Sequence, residues 1–191
     1  MNEPSAAVFF GIMIVWGLFE VGMAVFRRAG TATTAKRDAK TFPLLWGTIG
    51  ASVGVGVYLG IRGLGRIDAV EPLAAWVGLA MIVLGLLIRG LAILTLRKFF
   101  TVDVVVHADH QVVRTGIYRW LRHPSYSGSL LSFVGLGVAL ESWVSLLVVA
   151  IPVTAAFLWR IHIEERALHN GLGATYADYC KSTARLIPFV Y

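Results

Sequence analysis

The sequence predicts an all-α integral membrane protein of five transmembrane or membrane-embedded helices, the last two forming a helical hairpin, with a cytoplasmic helical segment at the C-terminus. Three observations carry this. Of 191 residues, 57% are hydrophobic and only 15% are charged. The mean hydropathy is +0.73. Long apolar stretches stand at 6–26, 42–61, 72–96 and 126–159. A soluble core this apolar would leave too little polar surface to cover it. The chain reads as a single membrane domain, 1–191, with three apolar spans in 1–96 and a loop, the hairpin and a C-terminal segment in 97–191.

Each of the first three stretches is about 20 residues or longer, which at about 1.5 Å per residue crosses a hydrocarbon core of about 30 Å. The first has no basic residues before it and is followed by Arg27 and Arg28. That order fits a retained span with its N-terminus outside, not a signal peptide. The second is rich in glycine, and spacings such as Gly50 to Gly54 and Gly56 to Gly60 let helix backbones approach closely. Packing within a monomer explains them more simply than a dimer face, so a monomer or weak homodimer is expected.

The fourth stretch is too long for one span. Leu140-Glu141-Ser142-Trp143 gathers a charge, a hydroxyl and an interfacial aromatic at its middle and splits it into two helices joined by a tight turn. Pro152 is expected to kink the second. From Arg160 the helix turns polar, with a break expected near Gly171 to Gly173 and a restart through Tyr176 and Tyr179.

The basic residues orient the chain. Arg27, Arg28, Lys36, Arg37, Lys40, Arg97, Lys98, Arg114, Arg119, Arg122, Arg160, Arg166, Lys181 and Arg185 fall on one side, against Arg62 and Arg66 on the other. The positive-inside rule makes the first side cytoplasmic. The net charge of +6 then reflects topology and attraction to anionic membrane lipids, with no nucleic-acid partner required. Cys180 is the single cysteine, so an internal disulfide and a cysteine metal cluster are both excluded.

Two charges interrupt the apolar half. Glu20 and Arg89 each lie about seven residues from the same end of their helices, hence roughly 10 Å deep. Opposite charge at matching depth makes them candidate partners, either purely structural or lining a substrate cavity.

The densest polar signals bracket the hairpin. Arg122-His123-Pro124-Ser125-Tyr126-Ser127-Gly128 is a helix start, with Pro124 forcing His123 toward an extended backbone and leaving first-turn N–H groups for a ligand. Gly128, with Gly135 and Gly137 beyond it, leaves room for a planar group or a second helix. Across the hairpin, Arg160 and Glu164 share a helix face while Glu165 points about 100° away. Tyr176 and Tyr179 share another. Ordinary readings exist for each: a glycine-packed helix entry, a solvated helix end, interfacial aromatic anchors.

As an ordered set these elements resemble the isoprenylcysteine carboxyl methyltransferase family. The set runs Thr115-Gly116-x-Tyr118, Arg122-His123-Pro124-x-Tyr126-x-Gly128, Arg160-x-x-x-Glu164-Glu165-x-x-Leu168, Leu172-Gly173-x-x-Tyr176-x-x-Tyr179 and Arg185-x-x-Pro188. Ile117 and Leu172 depart from it, where a proline and an aromatic are common. The resemblance implies binding of S-adenosylmethionine by residues of 97–191, with His123, Pro124, Tyr126, Gly128, Glu164, Glu165, Tyr176 and Tyr179 as cofactor-binding candidates. It implies Arg160, Arg185 and Glu164 as catalytic candidates, the arginines facing the acceptor, and no metal. The acceptor is then lipid-like or prenylated, with an apolar tail from the bilayer; a carboxyl head would be O-methylated without a general base, whereas a phenol or amine head would need a glutamate or tyrosine to take its proton.

Two other readings compete. Membrane sterol reductases that use NADPH share a similar RHP turn and Tyr-x-x-Tyr ending, but the adjacent glutamates and the short chain favour the methyltransferase. A non-enzymatic haem or metal protein would use His107, His110, His123, His162 and His169, a weak pattern with no cysteine in support.

Overall fold

The computed structural model describes residues 3–26, 41–67, 73–100 and 111–188. The suggested extended piece at Val102–Val106, the pair His107 and His110, and the basic residues from Arg27 to Lys40 lie outside the described residues.

Among the described residues there are five α-helices: α1 (Glu3–Phe26), α2 (Thr41–Ile61), α3 (Leu73–Leu96), α4 (Pro124–Ala139) and α5 (Trp143–Lys181). Short 3-10 turns cover Arg97–Phe99 and Gly116–Arg119. Among the described residues Pro43–Ile61, Leu73–Leu96 and Trp143–Ser182 are long and apolar enough to cross a membrane, and α1 carries a shorter apolar stretch, Ala7–Met23. The protein is therefore an all-helical integral membrane protein, and α4 with α5 is the expected hairpin.

The hairpin turn is built by Ser142, whose hydroxyl accepts from Ser145 N at 3.1 Å and caps α5. The same hydroxyl donates to Leu64 O at 2.5 Å, Ile67 N donates to Glu141 O at 3.0 Å, and Arg66 pairs with Glu141 at 3.8 Å. The segment after α2 is thereby tied to the hairpin tip, which places Arg66 at the opposite end of the hairpin from Arg122. α5 keeps helical backbone angles through Pro152 and departs from them at Gly173 (φ 54°, ψ −129°). An L residue with a side chain resists that conformation, so the break falls where a glycine permits it.

Close packing centres on α3 and α4. A Cβ on Gly85 would lie 2.4 Å from Gly128 O, and one on Gly78 would lie 2.5 Å from Gly135 O. The two glycine pairs, each seven residues apart on its own helix, let the antiparallel backbones touch. The space that the sequence left beside Gly128 for a planar group or a helix is filled by α3. On α2, Gly56 and Gly60 meet α5, while Gly50 and Gly54 have nothing within 4 Å of a built Cβ.

Remaining helix contacts run α2 to α5, α4 to α5 and, more lightly, α1 to α3. Trp16, Leu45, Ile49, Leu79, Ile82, Phe133, Leu136, Val149, Val153 and Phe157 make the buried core. That core lies beneath the site and closes its inner end.

Candidate active site at the open end of the hairpin

The C-terminal segment folds back onto the turn that starts α4. Arg122 N donates to Ala184 O at 2.9 Å, Ala184 N donates to Trp120 O at 2.9 Å, and His123 N donates to Arg185 O at 3.2 Å. Ser127 Oγ adds a bond to Leu186 O at 2.6 Å. His123 O accepts from Tyr126 N and Ser127 N at 3.0 and 3.1 Å. Those two first-turn amides are therefore occupied, and not open to an anion as the sequence suggested. With both its N–H and its carbonyl engaged, His123 adopts φ −124°, ψ 53°, short of the extended backbone that a residue before proline favours.

A cavity opens between this turn, α5 and the apolar helices. Its volume is about 160 Å³ as positions for a water centre, more than ten times what a single water needs. Leu45, Trp46, Ile49, Phe133 and Phe157 form its apolar wall, and His123, Tyr126, Arg160, Glu164, Tyr176 and Tyr179 line its polar part. Arg89 and Glu20 line it as well. Their side chains meet at 2.9 Å and are each only 14% exposed, and Arg89 Nη1 also donates to Ser125 Oγ at 3.0 Å. The pair expected from depth and charge is thus formed, and it faces the cavity.

The sequence-predicted residues separate into two groups. Glu164, Arg160 and Tyr126 converge on the cavity; Arg160 is 1% exposed. Glu165 is not among the cavity-lining residues. It accepts from Arg122 Nε at 3.0 Å, from His123 Nε2 at 3.4 Å and from Arg185 Nε at 3.3 Å through Oε1. Its Oε2 meets Arg185 Nη2 at 3.0 Å. Arg185 accordingly faces Glu165 and is not among the cavity-lining residues either. Pro124 is buried as the first residue of α4, and Gly128 abuts Arg89 N, 2.7 Å from a built Cβ.

Tyr176 and Tyr179, indistinguishable by spacing, also differ. Tyr179 donates to Tyr118 O at 2.5 Å and Leu121 O at 3.2 Å, pinning α5 to the turn. Tyr176 is 3% exposed, and its hydroxyl has no hydrogen-bond partner among the described residues. The Cys180 thiol lies beside it but is only a weak acceptor. Burial first, then the charge of Glu164, pushes the Tyr118 phenol well above its ordinary range, so it stays a neutral hydroxyl. Arg89 was read from the sequence only as a possible cavity residue. Its helical depth was the signal; Arg89 lines the cavity together with Arg122 and Arg160, and Arg185 does not.

Fold and site together define an integral-membrane helical protein with a half-charged, half-apolar cavity near one end of its bundle. The chain belongs to the phospholipid methyltransferase family, whose sequence profile matches residues 73–175. It is similar to protein-S-isoprenylcysteine O-methyltransferase A of Arabidopsis thaliana, 40% identical over 115 residues that cover 59% of this chain and 58% of that protein. Similarity to the Saccharomyces cerevisiae protein-S-isoprenylcysteine O-methyltransferase is 32% over 115 residues, covering 59% of this chain and 48% of the relative. Among solved structures, the eukaryotic intramembrane Ras methyltransferase, an isoprenylcysteine carboxyl methyltransferase, superposes with a TM-score of 0.69 at 26% identity, covering all of this chain and 69% of that one. The match spans under two thirds of the length of these Arabidopsis and yeast relatives. These findings bear out the resemblance carried by the ordered motifs.

Proposed function

We propose that the protein is an S-adenosylmethionine-dependent methyltransferase that O-methylates the carboxyl group of a lipid-like, prenyl-type acceptor at the membrane interface. The observation that carries the reading is the joint cavity: Glu164, His123 and Tyr176 share it with Arg89, Arg160 and an apolar wall inside the bundle. The methyl donor suits the polar part. Glu164 offers a carboxylate to a cationic amino group, and the buried Tyr176 hydroxyl offers a hydrogen bond that no described residue takes up. In this reading 97–191 holds the donor, and Leu45, Trp46 and Ile49 from 1–96 join Phe133 and Phe157 in the wall that receives the tail. The excess of basic residues toward that end supports a cytoplasmic site.

S-adenosylmethionine supplies an already activated methyl group, so the residues need mainly to position and to exclude water. An acceptor carboxylate is ionised at neutral pH, and its oxygen forms the new C–O bond as the C–S bond breaks, with no proton to move. Arg160 and Arg89 can hold that carboxylate, and an arginine fork does so directionally. Gly128 serves indirectly, by letting α3 close far enough to bring Arg89 beside Ser125.

The test is incubation of the purified protein in bilayers with methyl-labelled donor and two acceptor sets. One shares a thioether-linked prenyl tail of varying length on a carboxylate head; the other presents an amine head, as in phosphatidylethanolamine. Label is expected in the prenyl carboxylates as base-labile ester. Equal labelling of a tail-free soluble carboxylate, or label confined to the amine lipid, overturns the proposal.

A further inference from the structure

We infer that Glu165 is a positioning residue that acts on the methyl-donor site through His123, without touching the donor itself. The neighbouring glutamates look alike in sequence, yet an α-helix turns successive side chains about 100° apart. Glu164 accordingly lines the cavity and Glu165 does not.

The carboxylate of Glu165 is closely held by donors, three on Oε1 and one on Oε2. An ionised carboxylate offers about four lone-pair sites. Arg122 Nε, His123 Nε2 and Arg185 Nε approach Oε1 at 3.0, 3.4 and 3.3 Å, and Arg185 Nη2 approaches Oε2 at 3.0 Å. Three segments distant in sequence, the turn before α4, the polar part of α5 and the C-terminal segment, therefore meet on one side chain that is only 11% exposed. Arg122 has further anchors. Arg122 Nη1 donates to Cys180 O at 3.0 Å and also to Thr183 O.

A consequence follows for the imidazole. A carboxylate only accepts, so His123 Nε2 must carry the hydrogen. On the neutral ring that leaves Nδ1 as the acceptor, and the ring is 4% exposed and lines the cavity. Glu165 thus selects one tautomer of His123 and fixes the ring plane, as partners of the far ring nitrogen do for liganding histidines. A donor-site N–H or O–H then finds an acceptor ready in place, with no tautomer shift on binding.

The inference rests on the methyl-donor reading, and its test separates the two. Protein with ¹⁵N-histidine in micelles is recorded by long-range ¹H–¹⁵N correlation, with His123→Ala assigning the resonance. S-adenosylmethionine affinity and thermal midpoint are measured on the same samples. In the wild type His123 is expected as the single Nε2–H tautomer. In Glu165→Gln, whose amide can donate to the ring, the tautomers should mix and affinity should fall roughly tenfold or more, as for one lost charge-assisted hydrogen bond. If that variant does not fold, Glu165→Asp carries the same test. It keeps a charge for both arginines but withdraws from the ring, and must loosen the tautomer and weaken binding.

An unchanged tautomer in a folded variant overturns the inference, as does a changed tautomer with wild-type affinity. A fall in thermal midpoint alone would mark a merely structural ion cluster and overturns it too. Wild type that binds no S-adenosylmethionine would instead defeat the donor reading, and the inference with it, while the wild-type tautomer remained as found.

Discussion

Arg89 Nη2 lies 2.9 Å from Glu20 Oε2, joining α3 to α1 at a depth where an unpaired charge would be poorly solvated. Both side chains are 14% exposed. Removing either partner strands the other, at about 3–5 kcal/mol, whereas removing both is milder. Melting curves of Glu20→Gln, Arg89→Gln and the double variant in detergent should show the double losing less than the summed singles. A double that loses the full sum means the pair is not energetically coupled.

The glycine seam makes a second prediction. Gly85→Ala would put a Cβ 2.4 Å from the backbone oxygen of Gly128, and backbone cannot swing aside. A destabilisation of about 1–3 kcal/mol is expected. Gly54→Ala meets nothing within 4 Å and should leave the midpoint unchanged or raised. Equal effects from the two would show that α3 and α4 do not touch as described.

The two tyrosines should respond differently to the loss of one oxygen. Tyr176→Phe should weaken S-adenosylmethionine binding by up to roughly tenfold with little loss of stability, since its hydroxyl makes no hydrogen bond to a described residue. Tyr179→Phe should do the reverse, costing about 1 kcal/mol of stability through its bond to Tyr118 O. Titration calorimetry and melting on both variants settle it. Glu164→Ala, removing the cavity carboxylate, should weaken binding further than Tyr176→Phe.

Arginine loss should separate turnover from donor affinity. Arg160→Gln is expected to lower turnover roughly ten- to a hundredfold, the range for a hydrogen bond to a charged group, with donor affinity changed much less. Comparable losses in both would place Arg160 with the donor instead.

The pH profile reports the acceptor's head. A terminal carboxyl group titrates near about 3.5, so a carboxylate acceptor is fully ionised from pH 6 upward, and the rate should be flat there. A rate that rises with pH over that interval would mark an amine that must lose its proton first, and would overturn the carboxyl reading.

Much of the architecture was legible because it follows from local physics. Apolar stretches of bilayer length, the Glu141–Trp143 interruption and the Gly171–Gly173 break each depend on neighbours in sequence, and α4, α5 and the departure at Gly173 stand where these indicated. The Glu20–Arg89 pair was legible for a related reason: helical rise converts position into depth, and charge then leaves few partners. The site was legible as a set of residues and not as a set of roles. Nothing in the local sequence distinguishes Glu164 from Glu165 or Tyr176 from Tyr179.

What the sequence by itself determined is the membrane class, the helix order, the hairpin and the residues that gather at its open end. These are properties of hydropathy, periodicity and spacing along one strand of chain. Only the tertiary structure decided that Glu165 is enclosed by Arg122, His123 and Arg185, that Gly128 receives a helix, and that Arg89 joins Arg160 in the cavity. Those outcomes depend on which face of each helix meets which neighbour. That is fixed by the fit of backbones at Gly78, Gly85, Gly128 and Gly135 and by the C-terminal segment docking on the turn, contacts between groups far apart in sequence.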